Sequence, residues 1–285
     1  MKLDIDKYSK KYKFIFFIQE FTKRYFEHGI SKSAAALTYY FTFSIFPFFI
    51  FLTMLIGYMD ISPEMIIEVF SKFIPSDIIE IINSFIKHIT SIRNTKIMFF
   101  GAFFSIYFNM RAINFIMECI NTAYHINQKR NPLVHKIIVF IIAITFIFSI
   151  IIALILLIVG ENLLTFVSNI FEFSNPYIDT WNTLRFIILA GLLFTILSLL
   201  YYITPMKKLP RKYVFIGTIF SLSSWLIISI GFSYYVENIA SYSVIYGSIG
   251  AMIVLLMWLY FSSLVIILGA EFIHSLITTK EYFNK

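Results

Sequence analysis

Long apolar windows recur along the whole of this chain, and they limit its fold more than any other feature. Residues 34–58, 137–160 and 213–236 carry no charge at all. Each is long enough to cross a hydrocarbon core of about 30 Å, which takes about 20 residues of helix. With 59% apolar and 14% charged residues in 285, and a mean hydropathy of +0.81, too little polar surface remains to cover a soluble globule of this size. The solvent of the fold is therefore lipid. Backbone N–H and C=O groups in lipid must be satisfied within the segment, so the runs read as helices. A β-barrel would instead show alternating segments of about ten residues.

Hydropathy places six transmembrane helices, at 34–58, 97–121, 136–160, 181–204, 213–236 and 247–273, in a single membrane domain covering 1–285. The expected class is an all-α polytopic membrane protein. No small-residue cleavage site follows a short apolar core near the start, so residues 34–58 are expected to be a retained helix and not a secretory signal. The lone Cys119 rules out an intramolecular disulfide and carries no information about redox compartment.

Lys and Arg counts orient the spans, because basic loops stay cytoplasmic. Eight fall at or before Ser33, three around Lys129 to Lys136, four between Lys207 and Lys212, and two in the tail. The opposite side has only Lys72, Lys87 and Arg93. Both termini are thus expected in the cytoplasm. Topology accounts for the net charge of +7 without a nucleic-acid partner.

Two further helical segments are expected outside the spans. Phe14, Phe17, Ile18, Phe21 and Tyr25 share one face of residues 1–33, with Lys13, Glu20, Arg24 and Glu27 on another. This is the pattern of an interfacial helix, leading straight into the first span. In the extracytoplasmic segment 59–96, Ser62-Pro63-Glu64 and Pro75-Ser76-Asp77 read as two helix starts, hence a helical hairpin.

Chemistry concentrates on the second span. Tyr107, Arg111, Asn114, Glu118 and Asn121 fall within an arc of about 80° at about 100° per residue, a polar stripe down a membrane helix. Arg111 mid-span costs about 2.5–3.5 kcal/mol on insertion scales, so it is expected to face protein or a water-filled cavity and to find an acceptor. The stripe either lines a substrate path, with Arg111 holding an anionic group, or fixes helix packing through a bond to Glu118 or a carbonyl. Pro47 frees the carbonyl of Phe43 and marks a kink or hinge. Ala34, Thr38 and Thr42 form a small-residue packing face, while Tyr39 and Tyr40 are candidate ligand contacts. Tyr246, Gly247 and Gly250 open the last span with small residues suited to close approach or unwinding. Glu271 near its end is expected to pair with the Lys207–Lys212 turn or Arg130, or to serve transport.

His28, His88, His125, His135 and His274 are scattered without metal-ligand spacing, and no nucleophile elbow or phosphate-binding glycine loop occurs. No catalytic residue, metal or cofactor is expected.

The run Tyr246-Gly247-Ser248-Ile249-Gly250-Ala251 through Trp258-Leu259-Tyr260, followed by Leu268-Gly269-Ala270-Glu271, resembles the C-terminal signature of the YihY/BrkB family of bacterial inner-membrane proteins. Ala34-Ala35-Ala36-Leu37-Thr38-Tyr39-Tyr40 with Ser44 and Pro47, Asn121 with Tyr124 and Arg130, and Tyr202 with Pro205 resemble its other motifs, so the likeness covers nearly the whole chain. The resemblance implies six membrane helices and a link with serum resistance or lipid export. The family has also carried a ribonuclease BN label, which would require a metal or acid/base constellation that this sequence lacks. The leading expectation is a transporter or exporter of a lipid-like or small organic, possibly anionic, substrate, in a cavity lined by spans 1, 2 and 6. The alternative is a non-transporting membrane scaffold, and a membrane enzyme ranks last. Expected partners are membrane lipids, the unidentified substrate and, as an open option, a second copy of the chain.

Overall fold

In the computed structural model, residues 2–58, 94–126, 130–158, 176–206, 209–238 and 248–283 are described. They form seven α-helices and, among the described residues, no strand: α1 Lys2–Glu27, α2 Ile30–Tyr58, α3 Thr95–Ala123, α4 Pro132–Ile158, α5 Pro176–Ile203, α6 Arg211–Asn238 and α7 Ser248–Phe283. Among the described residues five stretches are long and apolar enough to cross a membrane: Ile30–Leu55, Thr95–Ala123, Pro132–Ala153, Arg211–Val236 and Met252–Phe283. α5 adds a shorter apolar stretch, Ile187–Ile203. The chain is a multi-pass helical membrane protein. The expected extracytoplasmic hairpin falls almost wholly outside the described residues, as do Tyr246 and Gly247.

Local chemistry sets the helix ends. The Asn94 side chain accepts from the backbone N–H of Lys96 at 3.0 Å and of Ile97 at 3.4 Å, capping α3. At its other end His125 adopts a left-handed φ of 52° and stops the helix. α1 does not run straight into α2 as the sequence pattern suggests. His28 and Gly29 form a turn, with Gly29 at φ 57°, where a side chain would be strained.

α2 packs along α3, α7 along both α6 and α2, and α5 against α4 and α6. α2 is unbroken through Pro47, and this turn is where α3 comes closest. A Cβ on Gly101 would stand 2.9 Å from both the Pro47 carbonyl oxygen and the Phe51 nitrogen, so only glycine permits this backbone approach. Thr38 Oγ1 donates to Ala34 O at 2.7 Å and reaches Ser263 Oγ on α7 at 3.4 Å. Thr42 bonds back to Thr38 O at 2.7 Å. The buried core gathers around Ile30, Leu37, Ile116, Ile120, Tyr201 and Ile273, toward the end of the bundle where α1 lies.

α1 is docked there rather than lying free. Phe17 and Phe21 meet Phe272 of α7 edge-on at 5.3 and 6.1 Å between ring centres, and Phe16 stacks on Tyr282 at 4.5 Å. Phe14 and Ile18, on the same apolar pattern, stay exposed. Part of the apolar face expected to meet lipid is thus spent on the bundle.

Candidate functional site

α3 has two opposite faces. Gly101, Ser105, Asn109, Ala112, Ile116 and Ile120 are buried, small residues over the first half that let α2 and α4 approach. The polar stripe lies about 180° away at 100° per residue. Tyr107, Arg111 and Glu118 are therefore exposed on the flank of the bundle. This corrects the expectation that Arg111 faces protein or a cavity lined by the first, second and last spans. The small residues on the opposite side of the helix win the packed face, because backbone approach needs them there.

The stripe is ordered by its own helix. The Arg111 guanidinium donates from Nε and an Nη to the Tyr107 hydroxyl at 3.3 and 3.2 Å, and its carbon sits 5.5 Å from the centre of that ring. Glu118 does not pair with Arg111. It accepts from Asn114 Nδ2 at 2.6 Å, while Asn114 Oδ1 lies 2.7 Å from His135 Nε2 on α4. Each charge leans one turn toward the start of α3, as helical side chains do. Their axial separation stays near two turns, about 10 Å.

α2 and α4 flank this face. Tyr40 meets Phe115 at 5.7 Å, and Tyr39 is joined to α3 through Phe43 and Phe108, with ring separations of 4.6 and 5.4 Å. Tyr39, Tyr40, Tyr107, Arg111, Asn114 and Glu118 are thus brought together, with His135 added by the structure. Asn121 lies further along, half-buried, its Oδ1 without a hydrogen-bond partner among the described residues. Gly250 is buried at the far end of α7, away from the stripe. Pro47 belongs to the Gly101 contact.

Glu271 sits elsewhere, in a buried cluster that joins α1 to the bundle. Its exposure is 1%, and among the described residues its partners are Arg24 and His28 rather than Arg130, Arg211 or Lys212, while Lys207 and Lys208 lie outside the described residues. Arg130 Nη2 is taken by Ile203 O at 3.1 Å, while docking of α1 brings two basic groups onto Glu271. Arg24, 5% exposed, bonds Glu20 Oε1 at 2.8 Å and Ala123 O at 3.1 Å, and stands 3.7 Å from Glu271 Oε2. His28 Nδ1 lies 2.5 Å from Glu271 Oε1. The His125 ring stands 5.5 Å from both His28 and His274. Desolvation, Arg24 and His28 together hold the His125 imidazole below its usual pKa. Burial, with Tyr201 and Glu271 nearby, pushes the Tyr124 phenol well above its own. Among the described residues no group of His, Cys, Asp or Glu could hold a metal.

The histidines are scattered in sequence, and the sequence pattern alone puts Arg24 on the charged face of an interfacial helix. The available signal was Glu20 and Arg24 one turn apart, at a spacing suited to pairing.

A groove of about 560 Å³ separates α4 from α5, lined by Thr145, Phe148, Ser149, Gly191 and Thr195 among others. Its hydroxyls are spent on carbonyls of their own helices, at 2.6 to 2.8 Å. Its lining is mainly apolar and holds none of the candidate residues.

Residues 21–282 match the family model described as virulence factor BrkB. YfkH of Bacillus subtilis (strain 168), whose name calls it ribonuclease-like, is 31% identical over 255 residues, covering 90% of this chain and 93% of YfkH. A UPF0761 membrane protein of Haemophilus influenzae (strain 86-028NP) is 26% identical, covering 88% of this chain and 91% of its own length. Another, from Alteromonas mediterranea, is 24% identical, covering 90% and 86%. No solved structure gives a significant match.

Proposed function

We propose that this chain, which belongs to the virulence factor BrkB family of membrane proteins, is an inner-membrane transporter that moves a lipid-like substrate along the outward polar face of α3. Both termini would lie in the cytoplasm, as the distribution of basic residues suggests. One observation carries the reading: Arg111 is exposed on the flank of a membrane helix, far from either end. It lies about 24 Å from Thr95 and about 18 Å from Ala123 at 1.5 Å per residue.

A guanidinium facing hydrocarbon is costly, and its only hydrogen-bond partner among the described residues is Tyr107. The bonds that the guanidinium donates to Tyr107 leave its other donors open to an oxyanion, the group arginine binds best. A lipid head crossing the hydrocarbon core pays for desolvation unless polar groups replace its water along the way. Tyr107, Arg111, Asn114 and Glu118 supply donors and acceptors over three turns. The flanking lipid-exposed aromatics leave the acyl chains outside. The observation favours a lipid over a small soluble solute, because the face opens sideways into the membrane.

The test is Arg111→Gln in reconstituted vesicles, with labelled-lipid movement and thermal melting measured on the same samples. Arg111 is exposed and touches chiefly Tyr107, so melting should stay within a few degrees of wild type while lipid movement falls to the protein-free rate. Unchanged movement would overturn the reading. The scaffold alternative uses the same face as a contact between protomers. In that case Arg111→Gln would change the oligomer distribution, and neither variant nor wild type would move lipid.

A further inference from the structure

We infer that the head group read by α3 is zwitterionic, a phosphate joined through a short linker to a primary ammonium, as in an ethanolamine phospholipid. The inference rests on the transport reading above and specifies its substrate. The stripe carries both signs of charge. Arg111 and Glu118 are seven residues apart, about 10 Å along the axis and about 20° apart in azimuth, so one ligand can lie against both.

They are kept from neutralising each other. Arg111 is turned onto Tyr107, and Glu118 is held by Asn114, itself braced by His135 across the helix gap. A site for a simple anion would have no use for an ordered carboxylate two turns away, and that carboxylate would repel it. A charge-assisted hydrogen bond of about 2.8 Å at each end leaves roughly 5 Å of the rise. A phosphate and an ammonium joined by two carbons fill such a gap. Glu118 accepts only one described side-chain bond, so its second oxygen is available to an N–H donor. The hydrophobic surround says where such a ligand comes from. Phe100 and Phe103, 60% and 64% exposed, precede the stripe on the same side of α3. These suit acyl chains and not a water-soluble amine.

The experiment compares two labelled lipids in vesicles containing the full chain, one with a phosphoethanolamine head and one with a phosphoglycerol head. Wild type should move the ethanolamine lipid faster. Glu118→Gln, which keeps the acceptor for Asn114, should slow the ethanolamine lipid by about tenfold, the size of one charge-assisted hydrogen bond, and leave the phosphoglycerol lipid unchanged or faster. Glu118→Asp keeps the charge and should retain the preference, whereas Arg111→Gln should slow both lipids. Equal rates for the two heads in wild type, or an unchanged ratio in Glu118→Gln at wild-type melting temperature, overturns the inference and leaves lipid transport standing. Movement of water-soluble phosphoethanolamine in place of the lipid overturns the lipid assignment. If neither lipid moves in wild type, the transport reading fails and the inference fails with it.

Discussion

Arg24 and Glu271 form a buried pair whose two halves are unequally supported, and the difference can be measured. Arg24 has three acceptors: Glu20 at 2.8 Å, Ala123 O at 3.1 Å and Glu271 at 3.7 Å. Removing Glu271 takes away its most distant partner and strands no guanidinium. Glu271 has Arg24 and His28, and among the described residues its Oε2 accepts no hydrogen bond, Arg24 standing 3.7 Å away. Removing Arg24 leaves a carboxylate 2% exposed at the side chain with only a histidine beside it. Breaking a buried pair so that one charge is left uncompensated costs about 3–5 kcal/mol. Glu271→Gln keeps an acceptor for His28 and loses a weak contact, which puts it at about 1–2 kcal/mol. Arg24→Met should therefore destabilise the protein more than Glu271→Gln. The double variant should cost less than the sum of the singles by about 2 kcal/mol, because the stranded carboxylate is gone. Equilibrium unfolding in mixed micelles, followed by the fluorescence of the half-buried Trp225 and Trp258, whose ring centres stand 6.0 Å apart, reads all three. A cost for Glu271→Gln equal to or above that of Arg24→Met, or strictly additive costs, would refute the asymmetry.

The other expectations also concern the end of the bundle where α1 docks. His125 titrates below the ordinary histidine value of 6.5 in the folded chain, so the unfolded chain takes up the proton first. The stability this contributes is complete above about pH 6.5 and is lost as pH falls from there through the lower folded value. Melting temperature should drop between pH 7.5 and 5.5, and the drop should be smaller in His125→Gln. A Cβ on Gly269 would overlap the Tyr201 hydroxyl and Ser221 Oγ, breaking the bonds from Tyr201 to Ile266 O at 2.7 Å and Ser221 at 3.0 Å. Gly269→Ala should then cost about 2–4 kcal/mol, and less in a Tyr201→Phe, Ser221→Ala background.

The apolar windows were readable because lipid imposes a rule that acts within each segment: every backbone group must close its hydrogen bond locally. The stripe on α3 was readable for the same kind of reason, since Tyr107, Arg111, Asn114 and Glu118 share a face whatever surrounds the helix. Which way that face turns is not a property of the segment. It depends on competition with the opposite face, and Gly101, Ser105 and Ala112 held the deciding evidence. A helix with small residues on one side and charges on the other packs by the small side when its neighbours approach at backbone distance, as Gly101 shows against Pro47 and Phe51.

Pairs across the chain were hidden more deeply. Glu271 and His28 are separated by 243 positions, and nothing in either segment names the other. Yet α1 could have been questioned from sequence alone. Its apolar residues read as a lipid-facing set, but Glu20 and Arg24, one turn apart beside that set, can also pair and enter a protein interface together. Burial of Arg24 against Ala123 and Glu271 is that case, and it makes α1 part of the bundle. The charged clusters around Glu271 and around Arg111 are therefore of opposite kinds. Around Glu271 the chain brings Arg24 and His28 onto one carboxylate and encloses all three, which suits a clasp. Around Arg111 and Glu118 it orders two opposite charges on an exposed helix face, the arrangement that the proposed ligand bearing both charges would complete.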